Sequence, residues 1–150
     1  MAKLFHCLSV IAIAGAAVAG SPKSTAAGNL PPRIGKSDFP TAEPQCWSPN
    51  GPTVTNICNQ DKFWYMPLVS SPAGAFTVTV NAFAPINSNV TCISTTADRE
   101  GVIRFQSGTI QVPQLNIAAD INLPVIVPSG GTGMVDCRVS PGGRLNSLSW

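Results

Sequence analysis

Few residues in this chain are of types that carry out chemistry. His6 is the only histidine, and the acidic residues within the regularly patterned region are Asp61, Asp98, Glu100, Asp120 and Asp136. Two carboxylates flanking a glycosidic bond would suffice for hydrolysis. Asp98-Arg99-Glu100, however, runs into Gly101 in a turn-like stretch where solvated charges are expected, and Asp120 and Asp136 fall on the polar phase of alternating segments. These acids therefore read as surface groups. Asp98 and Glu100 also lack the ligand-rich loop spacing of a calcium site. Gly130-Gly131-Thr132-Gly133 has the glycines of a phosphate loop but neither the following Lys-Ser/Thr pair nor a strand-to-helix context. It reads as a loop needing positive φ.

Residues 1–19 have the form of a secretory signal peptide. Lys3 supplies the positive start, Leu8 to Ala19 is apolar apart from Ser9, and Ala17-Val18-Ala19 gives small residues at the cleavage positions. The apolar stretch is shorter than the roughly 20 residues needed to span a bilayer, so no membrane insertion is expected after cleavage. Cys7 precedes the apolar run, which argues against lipid attachment there. Cleavage removes Lys3, His6 and Cys7, and the mature chain then keeps Cys46, Cys58, Cys92 and Cys137 with no histidine. Ser-His-Asp and Cys-His nucleophile systems are excluded, as are imidazole metal sites; no C-x-x-C pair offers a thiolate cage. No catalytic residue, metal or cofactor is expected. An even cysteine count in an exported chain, extracellular or periplasmic, implies two disulfides.

With 150 residues and a formal net charge of +2, the chain has room for one domain and no basic footprint for nucleic acid. Residues 20–45 are rich in Pro, Gly and Ser with few large apolar side chains, and read as a flexible linker, either spacer or propeptide. The spacer is the simpler reading.

From Cys46 onward the pattern is β. Phe76, Val78, Val80 and Ala82 alternate with Thr77, Thr79 and Asn81. Leu115, Ile117, Ala119, Ile121 and Leu123 hold the same period, as do Val135, Cys137 and Val139. Shorter candidates are Pro52–Ile57, Phe63–Val69, Val102–Gln106, Thr109–Val112 and Arg144–Trp150. Ser140-Pro141-Gly142-Gly143 should close a hairpin between Met134–Val139 and the last of these. About eight strands over 46–150 predict an all-β antiparallel β-sandwich, with a small closed barrel as the alternative. Cys92 and Cys137 lie on the apolar phase of their strands and should pair in the core, leaving Cys46 and Cys58 to pin the first hairpin or loop. Four cysteines still permit three connectivities.

Aromatic residues are the best signal for binding: Trp47, Trp64, Tyr65 and Trp150. In Phe63-Trp64-Tyr65-Met66, alternation sends Phe63 and Tyr65 to one face and Trp64 and Met66 to the other. An outward pair would suit stacking on sugar rings or a protein partner; the other reading is that a second layer, such as residues 20–45, covers it. Asn89-Val90-Thr91 matches an N-glycosylation tripeptide that also arises often by chance.

The order of features is similar to a loose group of small exported bacterial proteins of unknown function. The likeness rests on Cys46-Trp47-Ser48-Pro49, the aromatic run from Phe63 to Val69, Val90-Thr91-Cys92, and the Cys137 to Pro141 segment. That group often has a cysteine directly before the central proline, where this chain has Met66. The resemblance implies a two-disulfide β-sandwich, with Cys58 as the substitute bridge partner, and supplies no catalytic residue. The resulting expectation is a secreted, non-enzymatic binding module for a glycan or protein partner. Alternatives are a self-associating structural subunit of an extracellular assembly, in which residues 20–45 or strand edges reach a neighbour, and a carboxylate-based glycan hydrolase.

Overall fold

Alternation of β-branched and small polar residues drives this chain into extended structure, because only a pleated strand puts every second side chain into a shared core. A computed structural model describes residues 28–32, 35–37 and 43–150. The segment read as a signal peptide lies outside the described residues, as does much of 20–45. In chain order the strands are β1 (Asn29–Leu30), β2 (Lys36–Ser37), β3 (Trp47–Asn50), β4 (Thr53–Asn56), β5 (Lys62–Pro67), β6 (Gly74–Phe83), β7 (Val90–Ala97), β8 (Ile103–Gln106), β9 (Ile110–Gln111), β10 (Ala118–Val127), β11 (Thr132–Val139) and β12 (Arg144–Ser149). There are thus twelve among the described residues, against the eight expected. The surplus comes from short edge pieces whose backbone pairs without a hydrophobic pattern of their own.

The strands form two antiparallel sheets. Sheet A runs β10-β6-β12-β4-β3, with β1 pairing farther along β12; sheet B runs β2-β5-β11-β7-β8, with β9 also on β7. Val78, Val80 and Ala82 of β6 and Ile121, Leu123 and Val125 of β10 face Val135, Cys137 and Val139 of β11, all nearly inaccessible to solvent. The expected sandwich is therefore present. Leu115 and Ile117, read as the start of a strand, instead lie exposed in the bends before β10. That strand buries its period farther on, at Val125 and Val127.

The turn at 140–143 closes with Gly143 N–H donating to Ser140 O at 2.8 Å. It does not make a hairpin: β11 belongs to sheet B and β12 to sheet A. Turn chemistry fixes a local reversal, whereas the partner is fixed by which sheet the next apolar phase can cover. Both disulfides pair as phase predicted. Cys92 and Cys137 sit directly opposite on β7 and β11 and point into the core, while Cys46–Cys58 closes the ends of the β3–β4 hairpin.

Asn56, at the end of β4, is completely buried. Its amide nitrogen donates to Val139 O at 2.7 Å and Gln60 O at 2.8 Å, and its side-chain oxygen accepts from Cys58 N–H at 3.0 Å. Its backbone N–H donates to Gly143 O, and its carbonyl accepts from Gly142 N–H. Asn56→Ala orphans three groups on two segments, the buried Val139 carbonyl of β11 and the part-buried Gln60 carbonyl and Cys58 N–H of the loop after β4, so it should lower unfolding stability by about 3 kcal/mol. The check is a reduced urea midpoint at unchanged m-value.

Candidate functional site

Register, rather than proximity in sequence, assembles the outer face of sheet B. Opposed residues on antiparallel strands share a face, so the pairings Phe63–Arg138–Thr91–Gln111 form one row across β5, β11, β7 and β9. The next row is Lys36–Tyr65–Asp136–Ile93, which begins on β2. A third runs Pro67–Met134–Thr95–Gln106. Phe63 is 39% exposed, and Tyr65 and Ile93 are half-buried on the same side. Alternation thus sends the Phe63/Tyr65 pair outward and Trp64/Met66 inward, because Met66 and Trp64 complete the core opposite β3 and β4.

Two shallow cavities meet on this face. One of about 240 Å³ is lined by Phe63, Thr91, Ile93, Thr109, Asp136 and Arg138. The other, of about 130 Å³ and more polar, is lined by Asp61, Asn89, Thr91, Arg138 and Ser140. They share Thr91 and Arg138, and together make a groove that crosses the strands. Arg138 is held across it by an ion pair with Asp61, Nε to Oδ2 at 2.8 Å. The arrangement offers an apolar ring, hydroxyls and a fixed guanidinium–carboxylate pair. Such a surface suits a ligand with apolar faces and hydroxyl edges.

The other aromatic cluster lies at the edge where β2 and β3 end the two sheets. Trp47 and Trp64 pack with ring centroids 4.7 Å apart and planes tilted by 53°. They line a cavity of about 370 Å³ with Gly35, Lys36, Ser37, Pro44, Pro49 and Val54. Trp64 Nε1 donates to Pro32 O at 2.9 Å. A Cβ on Gly35 would come within 2.4 Å of that same nitrogen, so only glycine lets this backbone approach the indole. Part of the stretch read as a linker therefore covers Trp64. Trp150 stands apart from both clusters, half-buried, its backbone paired in both directions with Gly28.

Of the carboxylates weighed for catalysis, Asp61, Asp98, Glu100 and Asp120 are engaged in the scaffold, and Asp136 lines the sheet-B cavity. Asp98 Oδ1 accepts from Glu100 and Val102 N–H, and its other oxygen pairs with Arg104. Asp120 accepts from the Asn81 amide on sheet A, and Glu100 pairs with Arg99. Gly130 has φ +72°, in keeping with a turn. Asn89, the acceptor of the glycosylation tripeptide, lies beside the polar cavity. Among the described residues no group of three or more His, Cys, Asp or Glu side chains is placed to hold a metal. No described helix is long and apolar enough to cross a membrane. Arg138, Thr91, Thr109 and Lys36 escaped the sequence reading because only the register reveals what stands beside Phe63 and Tyr65.

The architecture is an antiparallel β-sandwich similar to solved modules and domains of that kind. No protein-family profile and no curated protein matches the sequence. In fold, the chain is similar to the C-terminal CBM6 carbohydrate-binding module of LamC, a marine laminarinase from Zobellia galactanivorans, with TM-score 0.53 and 12% identity over 83% of this chain and 98% of that one. It is also similar to part of the enzymatically active domain of tailspike protein 4 of bacteriophage CBA120, with TM-score 0.50 and 16% identity. There the match covers 65% of this chain and only 15% of the tailspike chain. At such identities the likeness is one of fold.

Two carboxylates are held below their ordinary value of 3.8. For Asp61 the main cause is a hydrogen bond from the Ser140 side chain, with Arg138 adding to it against a desolvation penalty. For Asp98 it is the Val102 N–H, supported by Arg104. The unfolded chain takes up protons first as pH falls, so the stability these groups contribute is present above the unfolded value and lost through the lower folded ones. The thermal midpoint should stay level from about pH 7 to about pH 5 and decline below about pH 4. Asp61→Asn and Asp98→Asn should each flatten that decline, as read by calorimetry across pH.

Proposed function

We propose that the protein is an exported, non-enzymatic glycan-binding module that lays an extended polysaccharide across the outer face of sheet B. In this reading residues 1–19 direct export and are removed, the stretch 20–45 is a spacer that also docks on the sheets, and 46–150 is the binding domain. The observation that carries it is the register that sets Phe63 and Tyr65 beside Arg138, Asp136 and Thr91. Sugar rings present apolar C–H faces to aromatic side chains and equatorial hydroxyls to charged and hydroxyl groups. The cross-strand groove supplies both along one line. The fold shared with the carbohydrate-binding module of LamC supports the reading and does not by itself assign a ligand.

The test is retention of oxidised mature protein on a panel of insoluble polysaccharides and whole cell walls at two salt concentrations. Stacking predicts retention on one polymer that persists at high salt. Phe63→Ala and Tyr65→Ala should each weaken it by about tenfold, with the circular dichroism spectrum kept. Retention on no polymer, or retention that survives the double substitution, overturns the proposal.

A further inference from the structure

The cavity between the β2 and β3 edges is separate from the sheet-B groove, and its lining has a chemical bias. Pro44, Pro49, Val54 and the two indoles make it largely apolar. Among the described residues its polar side chains are Lys36, Ser37 and the indole N–H groups, and none of these is a carboxylate or an amide. Trp64 Nε1 is occupied by Pro32 O. Trp47 Nε1 and Ser37 Oγ are buried and have no hydrogen-bond partner among the described residues. The two residues are only 7% and 5% exposed. Buried polar atoms are ordinarily paired, so two orphans on residues that line one cavity mark an occupant that accepts hydrogen bonds. Lys36, at the rim, has no ion-pair partner among the described residues.

We propose that this cavity is a second binding site, for a single acidic sugar residue, a uronate. Its ring rests against Trp47 and Trp64, and its carboxylate accepts from Trp47 Nε1, Ser37 Oγ and Lys36. A neutral sugar fits less well. Among these side chains its hydroxyl hydrogen finds an acceptor only in Ser37 Oγ, and it leaves Trp47 Nε1 and Lys36 to share the remaining lone pairs, whereas a carboxylate accepts from all three donors. The volume of about 370 Å³ falls in the lower part of the range usual for small-molecule sites. Both orphan atoms are closed to water, so the ligand must part the wall to reach them. β2 is the piece of wall that can give, because it is two residues long and, among the described residues, pairs with β5 through Lys36 and Ser37 alone. The site shares Lys36 with the outer rows of sheet B but none of the residues lining the groove there, and its readout is a soluble monosaccharide rather than a polymer.

The experiment is titration calorimetry of the oxidised protein with glucuronate and galacturonate, against glucose, galactose and acetate. At least one uronate should bind, with the neutral sugars and acetate at least about tenfold weaker. Lys36→Gln, Ser37→Ala and Trp47→Phe should each weaken the uronate by about tenfold. Trp47→Phe removes the donor and keeps an aromatic wall; should it fail to fold, Ser37→Ala carries the same test at a small side chain. Equal binding of glucose and glucuronate, equal binding of acetate, no uronate binding, or unchanged affinity in Ser37→Ala would each overturn the proposal. None of these results bears on polysaccharide retention by Phe63 and Tyr65.

Discussion

One buried amide holds the two sheets together at a corner. Asn56 ends a strand of sheet A, yet its side chain grips the last carbonyl of β11 in sheet B and the loop that carries the chain from one sheet to the other. The same residue engages the 140–143 turn, which returns the chain to sheet A. The Cys46–Cys58 bridge, the β3–β4 hairpin and the start of β5 all radiate from this point. In a low-dielectric interior such a network is strong when complete and costly when broken. The register that sets Arg138 opposite Phe63 begins a few residues from it.

The two outer faces spend their polar side chains differently. On sheet A, Thr79 donates to Asn122, Asn81 to Asp120, and Asn146 to Asn81, each at 2.7–2.8 Å. Arg144 lies over the Phe83 ring at 5.2 Å. The Thr79, Asn81, Asp120, Asn122 and Asn146 side chains are engaged with one another, so a ligand arriving there would have to replace existing bonds. On sheet B, the aromatic and hydroxyl groups lie along a groove, with Arg138 braced by Asp61 at its end. A braced guanidinium loses little freedom when it meets a partner. This difference between the sheets is what favours sheet B for the proposed binding role.

Much of this architecture was legible because period-two alternation states which side chains share a face. The inward phase of β6 and β11 and the pairing of Cys92 with Cys137 follow from it. The division of Phe63/Tyr65 from Trp64/Met66 was legible as well, but not its direction, which depends on what lies over the sheet. Connectivity was opaque for a related reason. Pro141-Gly142-Gly143 reverses the chain whether the next strand joins the same sheet or the opposite one. Composition alone made 20–45 a linker, yet Asn29–Leu30 and Lys36–Ser37 find partners on β12 and β5, since a sheet edge offers backbone hydrogen bonds to any sequence. The edge cavity was hidden too, because Trp47 and Trp64 come from different sheets.

The placement of the two disulfides sets them on different clocks. Cys92 and Cys137 lie in the middle of sheet B with both residues sealed beneath it. A thiolate must reach a sulfur in line to exchange with it, so a reductant finds this bond only in molecules whose sandwich has opened. Its survival then measures how often the whole domain breathes. Cys58, by contrast, is half-exposed at the end of its hairpin, so reduction there can proceed in the folded state. A mild reducing environment would therefore first produce a singly bridged protein with the core staple intact and the strand bearing Trp47 released at its base.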